Sequence, residues 1–282
     1  MWTRCSGPRQ FIRRGARRAW TAHAVTEPAE RLDDIDVRAL VAQEPAEPDD
    51  EPHVAGSLQR LCRAAARVLP ASGAGVSVMS REGVPVTTAA SDPTSAAVEE
   101  LQFTVGEGPC LEAYSARRSV LVPDLDEDGG TRWPGYALAA RDHGVRAVFA
   151  FALQVGAARL GVLDVYRGTS GVLSARSLRA ALTFAQVAVE MLLDAQQRAV
   201  QDDRAPSLDD ALSTGFELYQ AQGMVMYQLD ITLGEAMSRV RAYAFAHDQR
   251  LADVASGIVS RRIVLEEDGA DGGDAPRQDK GS

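Results

Sequence analysis

The sequence predicts an α+β protein, in which antiparallel hairpins with accompanying helices lead through a long helix into an all-α C-terminal unit. Three observations carry this. Two pairs of β-branched or apolar runs are each joined by a short glycine-containing break, around Glu82-Gly83 and at Gly156-Ala-Ala. A near-heptad stripe runs from Leu178 to Gln196, and three helix-period segments separated by polar breaks fill residues 208–265. With 282 residues, 45% of them hydrophobic, the chain is long enough for one large core or two ordinary ones.

Composition excludes several classes. The formal charge of -9 argues against coating of nucleic acid without specificity, so any RNA reader here must concentrate its cations locally. The longest apolar region, Leu178 to Leu193, is broken by Arg179, Thr183, Gln186 and Glu190, so no membrane span and a soluble, cytoplasmic protein are expected. Cys5, Cys62 and Cys110 are odd in number and widely spaced, which suggests neither a disulfide framework nor a metal site.

Residues 1–52 read as an extension. Arg4, Arg9, Arg13, Arg14, Arg17 and Arg18 lie in a segment with no acid and no apolar signal core, consistent with a mobile basic arm or a start assigned too early. From Glu27 to Glu51 the sign reverses and Pro28, Pro45 and Pro48 appear, the composition of a solvated linker with a weak helix around Asp33 to Val41. Neither part is expected in a core.

Residues 53–200 read as the first folded domain. Leu58, Leu61, Cys62, Ala65, Val68 and Leu69 recur at helical spacing until Pro70. Gly75–Met79 and Val84–Thr88 alternate as strands, and Arg146–Leu153 with Arg159–Tyr166 form a longer hairpin apolar enough to sit centrally in a sheet. In Gly106-Glu-Gly-Pro-Cys110 the glycines permit positive φ and Pro109 suits a first helical turn. That corner serves either as bare structure or as an anion site at a helix start. Cys110 reads as a redox thiol or a buried small residue, and Trp133 and Tyr136 as a ligand cover or as core. His53 and His143 lie in no haem-ligand motif, and no P-loop, phosphotransfer signature or nucleophile with a base is found, so no enzyme activity is expected.

Together with the hairpins, the segments Gln102–Ala113, Val120–Leu125, Arg132-Trp-Pro-Gly-Tyr136 and Gly144–Ala147 resemble a GAF domain over about residues 55–193. They are similar to the form that precedes ANTAR domains in actinobacterial regulators. The resemblance implies a GAF-type antiparallel sheet with flanking helices and a small-molecule pocket, with Gly106, Gly108, Cys110, Trp133 and Tyr136 as candidate ligand residues and the cofactor unknown.

Ser174 is a plausible cap for the connecting helix, whose Leu178, Leu182, Ala185, Val189, Leu192 and Gln196 suggest either a homodimer seam or packing on the helix's own sheet. Residues 201–207 form the expected linker and 266–282 a disordered tail. Between them, Tyr219–Gln228, Thr232–Ala244 and Leu251–Ala255 resemble the three-helix ANTAR domain. Ala221, Gly223, Met226, Ala236, Arg241 and Ala255 match its pattern, with Val240 where leucine is commoner.

That resemblance implies a regulator that binds RNA stem-loops to prevent transcription termination. Arg241 is the leading RNA contact, with Arg239, Gly223, Ala221, Arg250, Arg261 and Arg262 beside it and Tyr227 and Tyr243 available for stacking. Thr232-Leu-Gly-Glu235 is a capping box and Asp248 a candidate cap for the third helix. The competing reading is a ligand sensor whose C-terminal helices bind a protein partner.

Overall fold

The structure, a computed structural model, describes residues 36–46, 53–79, 85–201, 213–247 and 249–265. The basic arm, the Glu82-Gly83 turn, Asp202–Pro206, Asp248 and the tail lie outside the described residues.

A five-stranded antiparallel sheet is ordered β2-β1-β5-β4-β3, with β1 Gly73–Met79, β2 Pro85–Ala90, β3 Val120–Val122, β4 Ala147–Val155 and β5 Ala158–Arg167. Both hairpins foreseen in the sequence are present. Within the segment Val120–Leu125 the strand stops at Val122, because Pro123 offers no N–H to a ladder. Asp124 then caps a π-helical turn, Leu125–Gly129, by accepting from the N–H groups of Asp126 and Glu127.

Strand alternation sends Ala74, Val76, Val78, Phe149, Phe151, Leu163 and Val165 to one face. There they meet α2, His53–Val68, through Leu58, Leu61, Cys62 and Ala65, and α7, Ala175–Gln201, through Ala181, Phe184 and Ala188. Ser174 caps α7 by accepting from the N–H of Ser177. Ala185, Val189 and Leu192 of the expected stripe pack on this domain's own sheet, whereas Leu182 is exposed.

The acidic extension departs from its composition. Asp36 caps α1, Val37–Gln43, and Val37 and Val41 are buried against α2 and α7. Two apolar side chains one helical turn apart suffice to dock so short a helix, and none of Pro28, Pro45 and Pro48 falls within it.

The second face carries α3, Pro93–Val105, α4, Pro109–Ala116, a single turn, α5, at Gly130–Arg132, and α6, Pro134–Asp142. Asp92 caps α3 by accepting from the N–H groups of Thr94 and Ser95, and Pro93 takes the first turn, where no donor is needed. Beyond α7 follow α8, Ser213–Leu229, α9, Leu233–Ala246, and α10, Leu251–Val259. Leu218, Ala221, Val225, Met237, Val240, Val254 and Ile258 close a common core that continues into the second face.

The capping box forms as the sequence predicts. The Thr232 N–H donates to Glu235 Oε2 at 2.8 Å and the Glu235 N–H to Thr232 Oγ1 at 3.3 Å. At α10 the position before the helix belongs to Arg250, whose side chain makes no cap bond, not to Asp248. A Cβ built on Gly223 meets nothing within 4 Å, so close helix contact does not explain that glycine. Among the described residues no helix is long and apolar enough to cross a membrane.

Candidate functional site: a buried polar cluster under α3

On β1 and β5 the residues that point away from α2 are Gly73, Gly75 and Ser77, and Val162, Asp164 and Tyr166. Gly75, Asp164, Ala150 and Val120 stand in one row across four strands. Small residues on both sides of Asp164 leave room above it. The helix that covers this row presents Ser95, Glu99 and Gln102, spaced i, i+4, i+7, and all three are fully buried. The inner stripe of α3 is therefore polar where a helix on a sheet is ordinarily apolar.

The glycines make that approach feasible. A Cβ on Gly73 would lie 2.0 Å from Ser95 Oγ, and one on Gly75 would lie 2.1 Å from Glu99 Oε1. Ser77 Oγ donates to Glu99 Oε2 at 2.8 Å, and the Tyr166 hydroxyl donates to Glu99 Oε1 at 2.7 Å. Gln102 Nε2 reaches Asp164 Oδ2 at 3.4 Å, while Gln102 Oε1 accepts from the Cys110 N–H at 2.8 Å.

One atom each from Glu99, Asp164 and Cys110 fall within 4.8 Å of one another. Two buried polar atoms beside them, Asp164 Oδ1 and the Tyr136 hydroxyl, have no hydrogen-bond partner. A buried polar atom without a partner costs about 1–3 kcal/mol, so an orphaned pair in one cluster points to something that binds there.

Burial pushes the Glu99 carboxyl up to about 7, with the hydrogen bonds from Tyr166 and Ser77 acting against that rise. Asp164 is raised by burial first and by the neighbouring Glu99 charge second. Two buried carboxyls this close cannot both ionise without a compensating charge, and no described cation is paired with either. The Cys110 thiol is likewise held up by burial and then by both acids, so the helix start does not activate it.

Of the ligand residues expected from sequence, Cys110 and Tyr136 reach this cluster. Tyr136 is aimed by Glu107, whose Oε1 accepts from the N–H groups of Gly135 at 2.7 Å and Tyr136 at 3.2 Å. Gly108 lets Gln102 pass over the start of α4, where a Cβ would stand 2.4 Å from Gln102 Oε1. Gln102 thereby takes the Cys110 N–H that an anion would have used. Trp133 is buried with the Arg132 guanidinium 4.2 Å above its ring. Gly106, with φ of 84°, ends α3 and faces the C-terminal helices instead.

Ser77, Ser95, Glu99, Gln102, Asp164 and Tyr166 were not singled out by sequence reasoning. A signal existed for two of them: Asp164 and Ser77 interrupt apolar strands at positions that a merely packed sheet would fill with valine.

The outer face of α3 holds the C-terminal helices. Glu100 Oε2 accepts from Arg250 Nε at 2.7 Å, and Glu100 Oε1 accepts from the Leu251 N–H at 3.1 Å, so a residue of α3 supplies the missing cap of α10. The Arg241 side chain lies over Gly106, its Nη1 2.9 Å from where a Cβ would stand, and burial lowers the guanidinium from its ordinary value. Arg241 and Arg250 thus face α3, Arg239 is half-buried, and Arg261 and Arg262 are exposed past the far end of α10. Ala221 is buried and Gly223 half-buried in α8; Tyr227 is 89% exposed, and Tyr243 stacks on His247 at 3.9 Å.

Comparison with known proteins locates the family. Residues 54–192 match the GAF domain family. Among solved structures, similarity is found to the GAF domain of an Acinetobacter phosphoenolpyruvate-protein phosphotransferase, at 12% identity over 58% of this chain and 94% of that one, with a TM-score of 0.42. A free methionine-R-sulfoxide reductase from Neisseria meningitidis matches at 14% over 57% and 91%, with a TM-score of 0.40. A GAF domain from Synechocystis in its photoproduct state matches at 16% over 53% and 99%, with a TM-score of 0.42. Comparison with curated proteins gave no match. The segment that builds the sheet, its covering helices and the buried polar cluster is a GAF domain.

Proposed function

We propose that this protein is a non-catalytic sensory regulator in which occupancy of the polar cluster beneath α3 controls the C-terminal helices. The observation that carries this is the double use of α3. Glu99 points into the cluster, and its neighbour Glu100 caps and ion-pairs the start of α10. A ligand that draws Glu99 inward by a fraction of an ångström also moves Glu100, because adjacent residues of a helix are rigidly linked.

The output we infer is the binding of RNA stem-loops to prevent transcription termination. It rests on the resemblance of residues 208–265 to an ANTAR domain and on the exposed Tyr227 and Arg262. In the docked arrangement Arg241 is covered by α3, so RNA binding through Arg241 requires the helices to move off. A homodimer, joined along the exposed side of α7 near Leu182, belongs to the same reading.

Binding of the full chain to a library of transcribed RNA hairpins tests it. Glu100→Ala, which loosens the dock, is expected to raise hairpin affinity at least fivefold, and Arg241→Ala to abolish the gain and flatten the salt dependence. Absence of hairpin binding in both the wild type and Glu100→Ala would shift the reading to a protein partner for the same helices.

A further inference from the structure

We propose that Glu99, Asp164 and Cys110 form a binding site for one divalent transition-metal ion of borderline softness, zinc foremost, with the Tyr136 hydroxyl beside the fourth position. The proposal names the occupant of the cluster on which the sensory reading rests.

The donor set argues the class. One thiol with two carboxyls is too soft and too poor in oxygen for magnesium or calcium, which take about six or more oxygen ligands, and it suits an ion that accepts sulfur and oxygen together in four-coordination. The geometry is nearly assembled. In four-coordination, donors at about 2.0–2.3 Å from a common ion stand about 3.3–3.8 Å apart, and the three atoms here lie within 4.8 Å, so side-chain rotations that draw them together by about 1 Å complete the set.

The surroundings argue the charge. Two acids and a thiol are fully buried in one cluster, and no described cation is hydrogen-bonded to them. Metal binding releases the protons that these groups hold in the empty cluster, and two carboxylates and one thiolate around a divalent ion then carry a single net negative charge. The ion would also satisfy what the protein leaves open. Asp164 Oδ1 and the Tyr136 hydroxyl are buried without partners, and that hydroxyl is close enough to feel Asp164, Glu99 and Cys110 alike. The remaining bonds form an orienting outer layer: Ser77 and Tyr166 hold Glu99, Gln102 holds Asp164, and Glu107 aims Tyr136.

Cobalt(II) is the probe. The full-length chain, unfolded in a chelator and refolded under reducing conditions with Co2+, is expected to retain one equivalent of metal and show a thiolate-to-cobalt charge-transfer band in the near ultraviolet. Cys110→Ser is expected to lose the band, while Cys62→Ser, altered on the opposite face of the sheet, keeps it. Asp164→Asn, close in shape to the native residue, is expected to weaken cobalt affinity at least tenfold with unchanged circular dichroism.

Folded protein that retains no cobalt, a band that survives Cys110→Ser, or an unchanged affinity in Asp164→Asn would overturn the site. The last comparison decides the matter if Cys110→Ser fails to fold. RNA takes no part in these measurements, so loss of the metal site leaves the output reading to its own test.

Discussion

Gly75→Ala tests whether α3 lies on the sheet as described, because its effect should vanish when one distant residue is removed. A Cβ at this position would stand 2.1 Å from Glu99 Oε1, 2.5 Å from its Cγ and 2.6 Å from its Cδ. Ordinary contact between such atoms is about 3.5 Å, so the whole side chain must retreat by more than 1 Å. Retreat breaks the bonds from Ser77 and Tyr166, each worth about 1–1.5 kcal/mol net, and adds an overpacking cost of about 1–3 kcal/mol. The sum is about 3–6 kcal/mol. Glu99→Ala empties the contested space, and in that background the same glycine substitution should cost less than about 1 kcal/mol. Urea unfolding of wild type, both single variants and the double variant, followed by circular dichroism, yields the coupling directly. Costs that simply add, with no coupling near 3 kcal/mol, would show that Glu99 does not lie over Gly75 and refute the arrangement.

Two further outcomes follow from the same geometry. In metal-free protein the native state holds a proton on Glu99 up to a pH of about 7, against 4.5 for the free group, so the unfolded state releases it first as pH rises. This contribution is fully present below 4.5 and lost by about 7, a fall of about 3 kcal/mol at about 1.36 kcal/mol per pH step; urea unfolding at successive pH values should show it in the wild type and a smaller fall in Glu99→Gln, where the Asp164 carboxyl, raised by its burial, still contributes. Gly223→Ala, in a helix interior with open space around its Cβ, should stabilise the C-terminal helices by roughly 1 kcal/mol. A simultaneous loss of hairpin affinity would identify Gly223 as a point where an RNA backbone approaches, and a loss of stability would contradict the open space.

What the sequence disclosed depended on whether its patterns obey the usual polarity of inside and outside. The hairpins, α2, the Pro109 helix start and the Thr232 capping box follow ordinary rules and were legible. The polar cluster was not. In α3 the buried residues Ser95, Glu99 and Gln102 form a polar stripe between Val98 and Phe103, which interrupts the pattern by which a helix on a sheet is recognised. Asp164 and Ser77 passed unnoticed because the valines and leucines around them satisfied the strand pattern on their own. Cys110 and Tyr136 were singled out at the Pro109 helix start and beside Pro134, but nothing in their spacing told that α4 and α6 bring them to one cluster. The docking of α1 was missed for a different reason: two valines are too few to outweigh a proline-rich acidic composition in any window average, yet enough to fasten one short helix.

The two-sided use of α3 has a consequence for how such a protein can be rebuilt. Cutting at residues 202–207 and attaching a foreign sensor would preserve the covalent order of parts but discard Glu100 and Gly106, the surfaces against which the output helices rest. A chimera that keeps this dock must carry the outer half of one helix from its original owner, so the unit of exchange is smaller than a domain and straddles the apparent border between the GAF domain and the C-terminal helices.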